Sequence, residues 1–366
     1  DAGAVGSSYH CECYCAWLGT ALDSSPRRAS TEDCAQCSSL SIEEGFLSCA
    51  LCGALYEIQG GIPKLMPDEL KSEQEVRFLE GVRARLGLNP GHVSTEPLDA
   101  FALKGKTAEM MARNRAGRDR RIATLTSRGH QFLKGVEFKA VSRCLDIKPN
   151  DMLLDDGAGN GVCSIPLSRQ CRYVVATDFS FESLLAFKEF VYGLSTSYFT
   201  GYATFPEERI CLVQADSCQL PFRPGFRFDR AISTQVVSNI PGAANRESAI
   251  REVANHLKIG GLFVLTVGNE SLPVRLARPI TRTPREATLE GGKGVGYYYK
   301  FSKAEFRRLL ESFFVVDRLV GLQTPAYYLL GMHGGIARLV ERAIQASPLS
   351  CQMGNILLAR CRKRAE

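Results

Sequence analysis

The stretch LLDDGAGNG, residues 153–161, constrains the fold of this chain more than any other feature of its sequence. Two apolar residues, two acids and three alternating glycines are typical of a buried strand that breaks sharply into a helix. Apolar runs then alternate with helical patterns through RYVVATD, RICLVQAD, FRFDRAIST and GLFVLTVG. This alternation predicts an α/β fold, a parallel sheet with helices on both faces, one of which starts at Gly161. A further helix is expected from Asp68 to Leu88. After a helix from Ser302 and the strand FFVVDRLVGL, we expect GNILLARCRK to close the sheet as an edge strand.

The glycine turn suits either a dinucleotide or S-adenosylmethionine. The dinucleotide fingerprint spaces its glycines G-x-G-x-x-G, whereas Gly157, Gly159 and Gly161 run G-x-G-x-G. Asp155 would repel a pyrophosphate at short range and is better suited to a cationic ligand group. The turn therefore favours S-adenosylmethionine over a dinucleotide.

Ligands of open α/β sheets lie beyond the carboxyl ends of the strands, so the residues that end each strand are the candidates for a binding site. Asp178 ends the second strand, where a carboxylate can accept both ribose hydroxyls. Asp216 follows the third strand and is placed to accept from an adenine amino group. Residues after the fourth strand could line the methionine end. The predicted cofactor-binding residues are Asp155, Gly157, Gly159, Gly161, Asp178, Asp216, Ser217, Ser233, Thr234 and Gln235.

From about residue 135 to its end, the chain resembles class I S-adenosylmethionine-dependent methyltransferases. LLDDGAGNG, the acid after YVVAT, the AD, LPF and FD run, and REVANHLKIGGLFVLTV carry the resemblance. It implies a Rossmann-like seven-stranded sheet with an antiparallel last strand, and methyltransferase activity.

Two positions depart from the pattern of this family. Asp156 stands where the family usually has an apolar residue, and Ser238 and Asn239 replace the histidines of many relatives. No catalytic residue is assigned, because those histidines would supply the easiest general base. Methyl transfer from a sulfonium needs mainly in-line positioning, so catalysis does not require them.

Two C-x-x-C pairs in the N-terminal part have the spacing of metal ligands. They predict a zinc site, since four thiolates can close a tetrahedron around the ion. The alternative is a quartet that has lost its metal and persists as small buried residues. With YEIQGGIPKLMPDE after it, this module resembles the zinc ribbon of the small activator subunit that partners several tRNA, rRNA and protein methyltransferases. The predicted zinc ligands are Cys34, Cys37, Cys49 and Cys52.

The chain has 14 cysteines. Paired C-x-x-C motifs are typical of reducing compartments, which favours the mitochondrial matrix, the cytoplasm or the nucleus over secretion. A start at Asp1 is compatible with the removal of a targeting peptide. A second metal site could form from His10, Cys11, Cys13 and Cys15. The remaining cysteines are expected to be packed free thiols: Cys144, Cys163, Cys171, Cys211, Cys218, Cys351 and Cys361.

The positive charge is concentrated in one segment. Between Lys104 and Lys148, twelve Lys/Arg and four Asp/Glu give a net charge of +8, whereas the whole chain carries +6. We therefore divide the chain into an irregular lead-in over 1–33, a zinc ribbon over 34–67, a basic helical connector over 68–147 and a methyltransferase domain over 148–366.

No apolar run approaches the ~18–20 residues of a membrane helix, so no membrane partner is expected.

Clustered arginines provide a salt-sensitive surface for phosphates, although a solvated helix face has the same composition. A second stretch, after the fifth strand, carries Arg275, Arg278, Arg282, Arg285 and Lys293 before Tyr297, Tyr298 and Tyr299, which could stack on bases or simply pack. The predicted RNA-binding residues are Arg113, Arg115, Arg118, Arg120 and Arg121.

The expected function is an S-adenosylmethionine-dependent methyltransferase that acts on or binds RNA, with ribosomal RNA in an assembling ribosomal particle as the candidate partner. Two alternatives stay open. One is a methyltransferase of small molecules or lipids, in which the arginines are merely solvated. The other is a catalytically silent scaffold protein of ribosome assembly that retains the fold.

Overall fold

A computed structural model of the chain describes residues 43–48, 54–85, 128–193, 208–282, 284–289, 296–325 and 335–364. Within these ranges, none of the helices is long and apolar enough to cross a membrane. The strands β1 to β12 are, in chain order, Glu44–Ser48, Leu55–Gln59, Ile62–Pro63, Met152–Asp156, Tyr173–Asp178, Ile210–Gln214, Phe228–Thr234, Leu257–Gly268, Glu286–Leu289, Gly296–Tyr299, Phe314–Leu322 and Ile356–Lys363. The helices α1 to α9 are Glu73–Arg85, Arg128–Leu145, Ser164–Ser168, Phe181–Gly193, Ala243–Asn255, Leu272–Thr281, Lys303–Glu311, Gly335–Ala346 and Ser350–Met353.

The central sheet has seven strands in the order β11-β12-β8-β7-β4-β5-β6. β12 is antiparallel to both of its neighbours, and the other strands share one direction. The predicted seven-stranded sheet with an antiparallel last strand is thus confirmed. The predicted edge position of GNILLARCRK is wrong, because β12 lies between β11 and β8. Its near-continuous apolar run, with Leu357, Leu358 and Ala359 fully buried, is typical of an interior strand.

The sheet has an apolar core on each of its faces. Successive strand residues point to opposite sides, so Leu153 belongs to one core and Leu154 to the other. Helices α2, α3 and α4 contribute to the first core, and α5 and α7 contribute to the second. This two-sided packing is the doubly wound arrangement that the sequence predicts.

The N-terminal part forms a small antiparallel sheet, β1-β2-β3, that is joined to the edge of the central sheet. The Leu65 backbone N–H donates to the Gln214 carbonyl at 2.8 Å, and Lys64 forms a parallel bridge with Gln214. Leu65 is itself buried in one of the two cores of the large sheet. The small sheet therefore covers the free edge of β6.

The four cysteines of the predicted zinc site lie outside the described residues. Among the residues that are described, no group of three or more His, Cys, Asp or Glu could hold a metal ion. The zinc site stays a prediction, as do the second site near residue 10 and the arginines of the connector, which also lie outside the described ranges.

Two predicted helix starts differ from those observed. A helix was expected from Asp68, but a single 3-10 turn covers Asp68–Leu70 and α1 begins after Ser72. There the Ser72 hydroxyl accepts from the Glu75 N–H, and the Glu75 carboxylate accepts from the Ser72 N–H, which forms a capping box. A helix was also expected from Gly161, but its φ of +78° lies outside the helical region, so α3 starts only at Ser164.

Candidate active site

The glycine turn after β4 passes over the end of β5. The backbone N–H groups of Gly157 and Ala158 both donate to the Thr177 carbonyl at 2.8 Å. Gly157, Gly159 and Gly161 have φ values of +78°, +59° and +78°, a left-handed region that other residues enter only at a cost. The backbone conformation of the turn is therefore sufficient by itself to favour glycine at these three positions.

The three glycines differ in what surrounds them. A Cβ atom on Gly157 would lie 2.0 Å from Val236, and one on Gly161 would lie 2.2 Å from the Phe187 ring. A Cβ atom on Gly159 would meet no described heavy atom within 4 Å. Gly157 and Gly161 thus allow close packing within the protein, and Gly159 leaves the space into which a ligand can approach the backbone.

Asp178 at the end of β5 holds this turn in place. Its Oδ2 accepts from the Gly159 N–H and its Oδ1 from the Ser180 N–H, each at 2.8 Å. The carboxylate is buried, and each of its oxygens keeps a second lone pair for a ligand hydroxyl. This arrangement suits the predicted contact with the ribose.

Asp216 begins the tight turn after β6. Its Oδ1 accepts from the Cys218 N–H at 3.0 Å, and its carbonyl accepts from the Gln219 N–H at 2.9 Å. The neighbouring Ser217 hydroxyl donates to Asp156 Oδ1 at 2.7 Å. Asp156, which the sequence marked only as a departure from the family, is therefore part of the site.

Asp155 and Asp156 are both fully buried at the end of β4. The Ser164 hydroxyl donates to Asp155 Oδ2 at 2.5 Å, and Asp155 Oδ1 has no hydrogen-bond partner among the described residues. Burial, helped by the charges of neighbouring aspartates, raises the pKa of each carboxyl to about 7. No described Lys or Arg forms an ion pair with Asp155, Asp156 or Asp178, so the charge of these three acids is complementary to a cationic ligand.

The end of β7 contributes Ser233, Thr234 and Gln235. Ser233 Oγ is buried and has no hydrogen-bond partner in the part of the chain that the structure describes. Gln235 has a φ of +63°, which is uncommon for a residue with a side chain and is typical of functional sites. Its backbone N–H donates to the Thr266 carbonyl at 2.9 Å, which fixes this conformation to the end of β8.

The residues that replace the family's histidines have structural contacts. The Ser238 hydroxyl accepts from the Gly268 N–H at 2.7 Å, and the Asn239 side chain donates to the Gln235 carbonyl at 2.8 Å. Both therefore support the turn after β7, and neither is a general base.

Glu137 on α2 is a residue that the sequence analysis missed. Its carboxylate is buried and accepts from the Thr266 hydroxyl at 2.6 Å and from Lys134 Nζ at 2.8 Å. Burial alone would raise the pKa of Glu137, but the Lys134 charge and these hydrogen bonds hold it below its usual range. A lone acid on the apolar face of a predicted helix is the signal that could have found it.

The tyrosines considered for base stacking are engaged within the protein. The Tyr297 hydroxyl contacts Glu286 and accepts from Arg246, and the Arg246 guanidinium lies 4.1 Å from the Tyr299 ring centroid. The Tyr299 hydroxyl donates to Glu305. Two of the three tyrosines thus hold the β9-β10 hairpin against the domain. This agrees with the expectation that the tyrosines simply pack, and not with base stacking.

Two of the four arginines named in this stretch are also paired. Arg278 and Arg285 both contact Glu270, Arg285 at 3.0 Å. Lys293 lies outside the described residues.

The seven thiols expected to be packed are free, and all are buried except the half-buried Cys211, as predicted. His256 is buried with its Nδ1 at 3.2 Å from the Phe226 carbonyl, so its ring has a structural role.

Residues 154–265 match the family described as Methyltransferase domain. No curated protein matches the chain. Similar solved structures include an S-adenosylmethionine-dependent methyltransferase from Methanosarcina mazei, with 18% identity over 60% of this chain and 95% of that chain and a TM-score of 0.43. Another, from Clostridium acetobutylicum, has 11% identity over 64% and 92%, with a TM-score of 0.42. A chain of the complex between the Haloferax volcanii Trm112 methyltransferase activator and a methyltransferase has 16% identity over 71% and 98%, with a TM-score of 0.45.

The matched domain, the doubly wound sheet and the acids at its strand ends support a class I S-adenosylmethionine-dependent methyltransferase. The residues present fit this cofactor. Among the described residues, Asp155 Oδ1 and Ser233 Oγ are buried without partners, and no atom lies within 4 Å of a Cβ built on Gly159, so these places remain for ligand groups. When bound, S-adenosylmethionine supplies an electrophilic methyl group on a sulfonium. We propose that Asp178 would hold its ribose and Asp216 its adenine.

Proposed function

We propose that this methyltransferase acts on RNA, with ribosomal RNA in an assembling particle as the first candidate. The observation that carries the proposal is the direction of α2, which follows the basic segment in the sequence and begins at the edge of the sheet where the candidate cofactor site lies. The resemblance of the N-terminal part to an activator of tRNA, rRNA and protein methyltransferases also supports it.

The direction of α2 follows from the contacts at its two ends. Near its start, the Leu133 carbonyl accepts from the Gln323 side chain at 3.1 Å, just beyond the carboxyl end of β11. At its end, the Leu145 carbonyl accepts from Arg230 Nε at 3.2 Å, near the beginning of β7. The helix therefore runs from the carboxyl edge of the sheet to the amino edge. The basic segment precedes this end of the helix in the sequence.

The charge of the connector suits a polyanion. Its five clustered arginines precede the start of α2 by 7 to 15 residues, a separation that an extended chain can span to reach the carboxyl edge of the sheet. Each phosphate that an arginine neutralises releases counterions, which makes binding strong at low salt and weak at high salt. RNA bound there would lie next to the residues that hold the methyl donor.

The protein's own contribution to the reaction is then positioning. Glu137 and Thr266 fix the backbone of Gln235 at the edge where the nucleophile would enter. Holding two reactants in line supplies several kcal/mol toward a transfer that requires no strong base.

The test compares two triple variants with equal changes in charge. In the first, Arg113, Arg115 and Arg118 become Glu. In the matched control, Arg172, Arg223 and Arg227 become Glu; these are exposed residues close to the amino ends of β5 and β7, away from the cofactor edge. Binding to ribosomal RNA is measured over a series of salt concentrations, and methyl transfer is measured with labelled S-adenosylmethionine.

We expect the connector variant to lose most of its RNA affinity and to show a salt slope smaller by about 2 to 3 log units per decade. The control should bind as the parent does, and both variants should keep their affinity for S-adenosylmethionine. Equal RNA binding by the parent and the connector variant would contradict the proposal and favour a small-molecule substrate.

A further inference from the structure

Asp156 connects two parts of the site that are separated by a strand. It ends β4, whereas Ser217 follows β6, and β5 lies between these two strands in the sheet. Asp156 Oδ1 accepts from the Ser217 hydroxyl at 2.7 Å and also lies 3.4 Å from the Thr177 hydroxyl of β5. The carboxylate thus links three strand ends at one buried point.

Ser217 is held on both sides of this contact. Before it, the Asp216 carboxylate accepts from the Cys218 N–H, and after it the Gln219 N–H closes the same turn on the Asp216 carbonyl. A turn closed in this way moves as a unit. The hydrogen bond from Ser217 to Asp156 therefore sets where the whole turn, including the Asp216 carboxylate, lies relative to the glycine turn.

We propose that Asp156 is a positioning residue for cofactor recognition, which places Asp216 so that the enzyme distinguishes adenine from hypoxanthine. The inference rests on the assignment of Asp216 to the adenine amino group and is independent of the nature of the methylated substrate. Hypoxanthine has a carbonyl oxygen where adenine has the amino group, so this position offers Asp216 an acceptor in place of a donor, and the one ring donor, N1–H, lies at the neighbouring position. A misplaced Asp216 would lose the discrimination before it lost all binding.

The test measures the affinities for S-adenosylhomocysteine and for its inosine analogue by calorimetry. We expect the parent protein to prefer the adenine compound by about tenfold or more, the effect of one hydrogen bond to a buried charged group. Asp156→Leu and Ser217→Ala each remove the connecting hydrogen bond and should lower this preference to within a few-fold of unity. Asp156→Asn keeps an acceptor for the Ser217 hydroxyl and should retain the preference.

Thermal unfolding separates this role from a loss of fold. If Asp156→Leu does not fold, Ser217→Ala gives the result, since it deletes only a hydroxyl group. The proposal is overturned if the leucine and alanine variants keep the parent's preference, or if they weaken the binding of both compounds equally. A parent that binds both compounds alike would overturn both the proposal and the assignment of Asp216. Neither outcome would bear on the proposal that the protein acts on RNA, which is tested by separate binding measurements.

Discussion

At the scale of single residues, the site is dominated by buried acids. Asp155 and Asp156 are adjacent and fully buried, and Asp178 and Asp216 raise the cost of ionising them further. No described lysine or arginine forms an ion pair with Asp155, Asp156 or Asp178. A cationic ligand would therefore balance the charge of these three acids.

This imbalance predicts that the binding of S-adenosylmethionine depends on pH. The carboxyls of Asp155 and Asp156 have pKa values of about 7 without ligand, and a bound sulfonium favours their ionised forms. Binding should then release protons, so the affinity should rise from pH 6 to pH 8 by up to tenfold per unit for each proton released. S-adenosylhomocysteine, which has no sulfonium, should show a weaker trend.

Calorimetry in two buffers of different ionisation enthalpy measures the proton release directly. The variants Asp155→Asn and Asp156→Asn should each reduce it. Equal affinities of the parent protein at pH 6 and pH 8 would show that both carboxyls keep one protonation state. The stability of the free protein should depend on pH in the opposite direction to ligand affinity. Its buried carboxyls bind protons more tightly than those of the unfolded chain, so their contribution to the free energy of unfolding should fall as the pH rises from about 4 to 7.

At the scale of elements, the glycine turn combines two kinds of glycine that substitution should separate. Alanine in the left-handed region costs about 1–2 kcal/mol at any of these positions. Gly161→Ala would also place its Cβ atom against the Phe187 ring, so it should lower the melting temperature far more than Gly159→Ala. Gly159→Ala should instead weaken S-adenosylmethionine binding about tenfold in a protein that still folds. Melting curves and calorimetry on both variants test this. The separate roles would be contradicted if Gly159→Ala lowered the melting temperature more than Gly161→Ala.

The sequence predicted the strands of the cofactor half well, because buried strands and their terminal acids are local patterns. It could not place β12, since strand order depends on pairing between distant segments. It also missed α8, although Ile336, Leu339, Val340 and Ile344 recur at helical spacing. The sequence could not show which face of this helix is buried, because the usual pattern is reversed. Its Glu341 is buried and accepts from the Gln323 and Thr324 N–H groups, whereas Ile336 and Leu339 are about 70% exposed.

The residues of the candidate site were also predicted only in part. The acids and glycines follow from strand ends, and the structure brings all of them to one edge of the sheet. Glu137 and Asp156 were not assigned, because their roles depend on contacts with Thr266 and Ser217 that no spacing in the sequence reveals.

At the scale of the whole molecule, we propose that the N-terminal part holds one zinc ion per chain through Cys34, Cys37, Cys49 and Cys52. Elemental analysis of gently purified protein should find one zinc, and Cys37→Ser should lose it. Chelation should loosen the small sheet and leave the central sheet folded, since a ribbon with few apolar residues depends on its metal.

Cys211→Ser is the control for the zinc measurement, because this thiol is free and lies in the central sheet. Its zinc content should equal that of the parent protein. Protein without zinc would refute the site, and two zinc ions per chain would indicate that His10, Cys11, Cys13 and Cys15 bind a second ion.

The hydrogen bond from Leu65 to Gln214 joins the small sheet to β6 within a single polypeptide. A tethered segment meets its docking surface at a millimolar effective concentration, whatever the concentration of the protein itself. Dilution therefore cannot uncover the edge of β6, as it would in an assembly of separate subunits. Unlike an activator that is shared among several enzymes, the small sheet here is committed to one partner in a fixed one-to-one ratio.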